Sequence, residues 1–383
     1  KLDEEAQALT AQKDKLEQSM REQQRQLEEE MRTQKNESLK TQAKEQEVAQ
    51  RSRELQRKLD EIERKRQEAK TEGSRLARMK ELLSTPAYWE QKLASKAADG
   101  FAMIGLDRNR ERTTWQALSQ MLDTEGKELG HGADHKHKSP PYNKLKLAAA
   151  WRIEHPALWD KYAGGRRTVI TGMQRVAQSG KRRADPNIRT HAAAASLPGG
   201  LSADAGEEML LHGTAPEKVL SVLSTGLNEH FSGTSAGTAF GDGLYFAEDA
   251  GKNDHYVTMD EAHDGSSDLH KRLYAHGVRH PSRVFYLLVC RVAVGYYVRT
   301  KSNPHASLTS PDTGEKIFPV TRRELSPVSG VSPAVFHHTL LAEHQANGGP
   351  FRYRELIVFQ NSHVYPEYLI AYQRYHDSRG PLQ

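Results

Sequence analysis

The chain has 383 residues, of which 36% are hydrophobic and 27% charged, and its formal net charge is +5. That length allows two or three structural units, and no run approaches the roughly 20 apolar residues that span a bilayer, so neither a membrane span nor a signal-peptide core is expected. The single cysteine, Cys290, excludes an intrachain disulfide framework and a cysteine-based zinc finger; it lies in the apolar run Val284–Val294, reads as a buried thiol and favours an intracellular setting, cytoplasmic or nuclear.

Residues 1–84, which open on Lys1 and read as the start of a fragment, contain no proline and one glycine, Gly73, among many Glu, Gln, Lys, Arg and Ala. That composition predicts a long charged helix. Apolar residues recur every seven along one seam, through Ala6, Met20, Leu27, Val48, Leu55, Ile62, Ala69, Leu76 and Leu83. A second seam is apolar only at Leu2, Leu9 and Leu16, and continues as Gln23, Glu30, Glu37, Lys44 and Arg51. A stable coiled coil needs both seams apolar, so a weak self-associating coiled coil, a helix that meets a partner helix and a solvated single helix all remain open. By count, 20 basic residues face 19 acidic ones here, and Glu to Lys or Arg pairs four apart support a lone helix.

Ser84-Thr85-Pro86 reads as a stop followed by the cap and first turn of another helix. Residues 85–141 form a linker region in which Ala87–Met121 has mainly helical apolar spacing, and Gly126–Pro141 reads as a His- and Lys-rich loop. His131, His135 and His137 in that loop are metal-ligand types, but only Asp134 accompanies them, so no metal site is expected. Residues 142–383 make the third unit. It opens with a strand over Leu145–Ile153 and a helix through Pro156–Tyr162, then a basic insertion over about 164–200. Residues 101–200 hold 17 Lys or Arg against 9 Asp or Glu by count, with Arg166, Arg167, Lys181, Arg182, Arg183 and Arg189 grouped. Such a group allows nucleic-acid contact through residues 164–191, but no stacking aromatics interleave it, and a solvated loop is the plainer reading. Further strands are expected at Met209–His212, Gly243–Ala247, Val284–Val294, Glu355–Gln360 and Tyr368–Tyr372, with a short helix over Ala215–Gly226. Strands and helices are mixed rather than alternating, and no G-x-G-x-x-G follows a strand, so an α+β fold is expected and a Rossmann sheet is not.

Three separated segments each place one polar residue in or beside an apolar run. They are Leu210–Thr214 with His212, Gly241–Glu248 with Tyr245, and Tyr353–Phe359 with Glu355. Each alone has an ordinary explanation, as a strand-end histidine, a half-buried tyrosine or an edge-strand glutamate. In this order, with Phe240-Gly-Asp-Gly-Leu-Tyr-Phe-Ala-Glu-Asp249 followed by Tyr256 eleven residues after Tyr245, and with Tyr365-Pro-Glu-Tyr-Leu-Ile-Ala-Tyr372 closing the run, the chain resembles the PARP-type, diphtheria-toxin-like ADP-ribosyltransferases. The closing strand is similar to those of tankyrase-like and mono-transferase members, and it registers Glu355 rather than Glu367 as the triad glutamate.

The resemblance implies a PARP-like fold of mixed, mostly antiparallel split β-sheets with flanking helices, and NAD+ as co-substrate with no metal. It assigns catalysis to His212, Tyr245 and Glu355. His212 would bond a hydroxyl of the adenosine ribose, Gly213 would offer its backbone to the nicotinamide carboxamide, Tyr245 and Tyr256 would sandwich the ring, and Glu355 would bond the nicotinamide ribose. Thr214, Gly241, Gly243, Phe246 and Ala247 complete the binding set, and Asn228–Ala239 corresponds to the loop lining the site. Asn253 departs from the pattern, since many members carry serine there. The implied activity is transfer of ADP-ribose to protein acceptors, the chain itself among them, as single units or as polymer. A catalytically weak NAD+-binding coiled-coil scaffold and an NAD+ glycohydrolase are the alternatives.

Overall fold

In a segment rich in helix formers and without proline, the first unit takes the expected form. The computed structural model describes residues 2–82, 85–90, 100–126, 129, 142–228, 238–304 and 307–381, and divides the chain at Met79/Lys80. A single helix, α1, runs Leu2–Leu82. Ion pairs four residues apart line it: Lys13 with Glu17, Lys58 with Glu54 at 2.8 Å, and Lys65 with Glu61 at 2.8 Å. Its seam residues Leu9, Leu16, Met20, Leu27, Val48, Leu55 and Ile62 are all exposed.

The second unit is α+β, as expected. Its elements run β1 (Ala102–Gly105), α2 (Arg112–Met121), β2 (Lys144–Glu154), α3 (Pro156–Gln178), α4 (His191–Ala194), β3 (Glu207–Thr214), α5 (Pro216–Thr225), β4 (Leu244–Phe246), α6 (Ala250–Asn253), α7 (Asp268–Leu273), β5 (Phe285–Ala293), β6 (Tyr297–Thr300), β7 (Thr339–Ala342), β8 (Glu355–Val358), β9 (Val364–His376) and β10 (Gly380–Pro381). They build two sheets. One has the order β1-β2-β9-β5-β3, with β10 added beside β9, and the other has the order β4-β8-β7-β6. All pairings are antiparallel except β6 with β7.

The larger sheet is covered on both faces, which explains its near-continuous apolar strands. Alternate residues point to opposite faces. Thus Leu210, Leu288 and Leu369 join Trp151 and Phe246 in one core, while Met209, Leu211, Leu287, Val289 and Ile370 join Leu118, Met121 and Tyr142 in the other. The 13-residue β9 is the central strand, flanked by β2 and β5.

Several expectations need correcting. Ala87–Met121 is not helical throughout, because Ala102–Gly105 pairs with Trp151–Glu154 as a strand. Ala102, Met103 and Ile104 are all buried, on alternating faces as a strand places them, and among the described residues the helix of this stretch is Arg112–Met121, where Leu118 and Met121 are buried as the spacing predicts. Pro86 opens a single turn, with the Trp89 amide donating to the Pro86 carbonyl, rather than a described helix. The helix begun at Pro156 continues to Gln178, through the first half of the stretch read as a basic insertion. His131, His135 and His137, Ser84 and residues 229–237 of the Asn228–Ala239 loop lie outside the described residues.

Candidate active site

Strands β3 and β4 are edges of different sheets, and they meet. The Leu211 amide donates to the Ala247 carbonyl at 2.8 Å, and the Ala247 amide returns the bond to Leu211 at 3.0 Å. This bridge brings the histidine and tyrosine segments together although more than 30 residues separate them. His212 Nδ1 lies 2.8 Å from the Tyr245 carbonyl. A carbonyl only accepts, so Nδ1 carries the proton. Burial holds the His212 imidazole below its usual pKa and therefore neutral, which leaves Nε2 as a bare acceptor. The Tyr245 hydroxyl accepts from the Phe240 amide and donates to the Gly241 carbonyl, both at 2.8 Å, and this fixes the turn that holds Gly241 and Gly243. Burial first, and then the charge of Glu355, raise the Tyr245 pKa, so the phenol stays protonated.

Glu355 begins β8, opposite Ala342 of β7 and one residue beyond the Leu356–Phe246 pairing with β4. It is only 5% exposed. A buried carboxylate demands a partner, and the partner is Lys252, whose Nζ lies 2.8 Å from Oε1. Lys252 also donates to the Tyr256 hydroxyl at 3.0 Å. Burial opposes the ammonium charge, yet the Glu355 carboxylate and Tyr256 hold the lysine above its usual pKa. Tyr256 itself is 53% exposed. The short helix α6 therefore places consecutive side chains on different sheets, Lys252 on β8 and Asn253 on β3.

Asn253 is committed within the protein. Its Oδ1 accepts from the Gly213 amide at 3.0 Å and its Nδ2 donates to the Asp249 carbonyl at 3.0 Å. The need for glycine at 213 has an internal cause too, since a Cβ there would lie 2.6 Å from the Asn253 carbonyl oxygen. Next along the turn, Asp254 is buried, accepting from Arg374 Nε at 2.9 Å and from the hydroxyls of Tyr372 (2.6 Å) and Tyr142. That anchor ties the turn to β9. Of the other expected binding residues, Phe246 packs in the core, Ala247 serves the bridge between sheets, and Thr214 is buried at the end of β3 opposite Tyr286.

Glu367, the rejected glutamate, is buried in β9 and held by Arg291 at 2.6 Å and 3.1 Å and by the Tyr88 hydroxyl. Lys252 and Asp254 escaped the sequence reading; the signal for Lys252 was its place four residues before Tyr256 on a short helix. A third omission is Arg354, which forks onto Glu248 at 2.7 Å and 2.8 Å and so clamps the start of β8 to the end of the tyrosine segment. Within the basic group, Arg166 pairs with Glu207, Arg183 donates to the Gly295 carbonyl, and Arg189 donates to the Glu248 carbonyl.

The model of the poly(ADP-ribose) polymerase catalytic domain matches residues 125–374, which include every site residue described above. No curated protein matches the chain.

Proposed function

The chain belongs to the poly(ADP-ribose) polymerase catalytic-domain family, a family of NAD+ ADP-ribosyltransferases, and on that premise we propose that it transfers ADP-ribose from NAD+ to protein side chains, its own included, with release of nicotinamide. The observation that carries this reading is the convergence of His212, Lys252, Asn253 and Glu355 on the seam where β3 meets β4.

The bond to be broken joins the ribose C1′ to the nicotinamide nitrogen. Its electron pair neutralises the pyridinium, so departure needs no proton. The cost lies in the positive charge left on the ribose, and a fixed carboxylate is the group to offset it. Glu355 takes that role: Lys252 holds one carboxylate oxygen and the other serves the ribose. His212 offers Nε2 to a hydroxyl of the adenosine ribose. Tyr245 forms one wall of the nicotinamide slot, and Tyr256 closes over the ring. Stacking of this kind contributes about 1 kcal/mol beyond burial.

The acceptor nucleophile then attacks C1′ and loses its proton. A protein side chain gives a single unit, and a ribose hydroxyl of an earlier unit gives a polymer; Glu355 can assist either. Incubation with NAD+ labelled in the adenylate half tests the proposal. Label on protein supports it. Free labelled ADP-ribose would make water the acceptor, and the absence of turnover would make the domain a binding scaffold. Gel mobility separates single units from polymer.

A further inference from the structure

We propose that Asp260, His270 and His280 form a binding site for a divalent transition-metal ion of the zinc type, apart from the NAD+ chemistry. Each offers one ligand atom, and these atoms all lie within 4.8 Å of one another. All three residues are buried, with exposures of 8%, 1% and 4%. They come from separate pieces of chain: Asp260 from an isolated bridge to Val284, His270 from α7, and His280 from the loop before β5.

The donor set suits the ion. Two imidazoles and a carboxylate are zinc ligands, with metal–ligand distances of roughly 2.0–2.2 Å and a fourth position open to an oxygen. Tyr286 supplies an oxygen at that point, its hydroxyl lying 2.8 Å from both Asp260 Oδ2 and His280 Nε2. His270 Nε2 is 2.9 Å from Asp260 Oδ2. These separations are slightly shorter than the edges of a tetrahedral shell, so small side-chain shifts would open it.

His280 already has the arrangement expected of a metal ligand. Its Nδ1 donates to the Pro281 carbonyl at 2.7 Å, as outer-shell carbonyls do for metal-bound histidines, and its Nε2 lone pair faces the cluster, where it now accepts from the Tyr274 hydroxyl at 3.0 Å, a bond that an ion would replace. Burial lowers its pKa and keeps it neutral. His270 now carries its proton on Nε2, toward Asp260, and its Nδ1 makes no hydrogen bond among the described residues. Metal binding through Nε2 requires the His270 proton to move to Nδ1, the ring nitrogen that has no partner to lose.

The location explains what an ion would do. Between Tyr256 and β5 the chain makes an excursion of more than 25 residues whose regular structure is the six-residue α7 and one following 3-10 turn. Ligands from the beginning, middle and end of that excursion would close it with one ion, stabilising the folded state by the binding free energy.

Chelator-treated full-length protein, dialysed and titrated with Co2+ as a spectroscopic stand-in for Zn2+, tests the site. One equivalent should bind, with visible d–d bands of a four- or five-coordinate nitrogen and oxygen site, and Zn2+ should displace it and raise Tm. Binding should disappear in Asp260→Asn and His280→Ala, and persist when His131, His135 and His137 are all replaced by Ala. Should those ligand variants fail to fold, X-ray absorption on the zinc-loaded wild-type protein should count two imidazoles. Absence of saturable uptake, retention of binding by the folded ligand variants, or its loss in the triple loop variant would each overturn the proposal and leave the cluster as a hydrogen-bond network alone.

Discussion

At Asn253 two demands meet on one backbone amide. The Gly213 amide points away from β5 toward α6, where on the proposed function a nicotinamide carboxamide would seek it, and Asn253 Oδ1 already holds it at 3.0 Å. A substrate must displace or share that bond, whose net worth is about 1 kcal/mol. Asn253→Ser shortens the side chain and frees the amide. We predict that KM for NAD+ falls roughly fivefold while kcat changes little; steady-state nicotinamide release measures both. A rise in KM instead would mean that the asparagine amide itself holds the substrate. The same residue marks where the sequence was least instructive. Asn253 was visible as a departure from the family pattern, but its partners were not, because Gly213 lies 40 positions away and reaches it only through the fold. Lys252 was overlooked for a similar reason: a lysine on a short helix looks solvated until a strand from the far end of the chain places a carboxylate beside it.

Among elements, legibility followed burial. Strands β3, β5 and β9 were readable as apolar runs because both faces of their sheet are covered. The four-residue strands β6 and β7 were too short to give a period. Helix α3 was cut short in the reading because Gly164-Gly165 and two arginines interrupt its pattern. Gly165 has a packing cause, since a Cβ there would stand 2.1 Å from the Ser362 carbonyl oxygen. Helix α1 raises a different question. Its apolar seam is exposed, and its second seam is polar after Leu16, which weakens but does not abolish coiled-coil pairing. We predict weak, concentration-dependent self-association of the full chain, lost in the double variant Leu55→Lys, Ile62→Lys. Sedimentation equilibrium measures this directly. A mass independent of concentration in the wild type would instead assign α1 to a lone helix or to a different partner.

For the molecule as a whole, acid sensitivity is built into the packing near the turn of residues 361–363. Burial pulls His338 down to about 4 and His363 to about 3. The His363 ring makes no hydrogen bond among the described residues, and the His338 Nδ1 accepts from the Tyr296 amide at 3.0 Å. Above about pH 6.5 both histidines are neutral whether folded or unfolded, so they leave stability unchanged. Below it the unfolded chain takes up protons that the folded chain refuses, at about 1.4 kcal/mol per pH unit for each histidine. Urea unfolding at pH 6.5 and pH 5 should therefore show a loss of about 2 kcal/mol per histidine, and His363→Leu should flatten the slope. A profile unchanged by that substitution would place the acid sensitivity elsewhere.

The central claim concerns one carboxylate at the seam between the two sheets, and Glu355→Gln tests it most directly. With wild-type protein, adenylate-labelled NAD+ should label the protein itself. In Glu355→Gln the fold and NAD+ binding should survive, while nicotinamide release and labelling fall by roughly a hundredfold to a thousandfold, the usual cost of removing one preorganised electrostatic group. Labelling undiminished in a folded Glu355→Gln variant would contradict the mechanism.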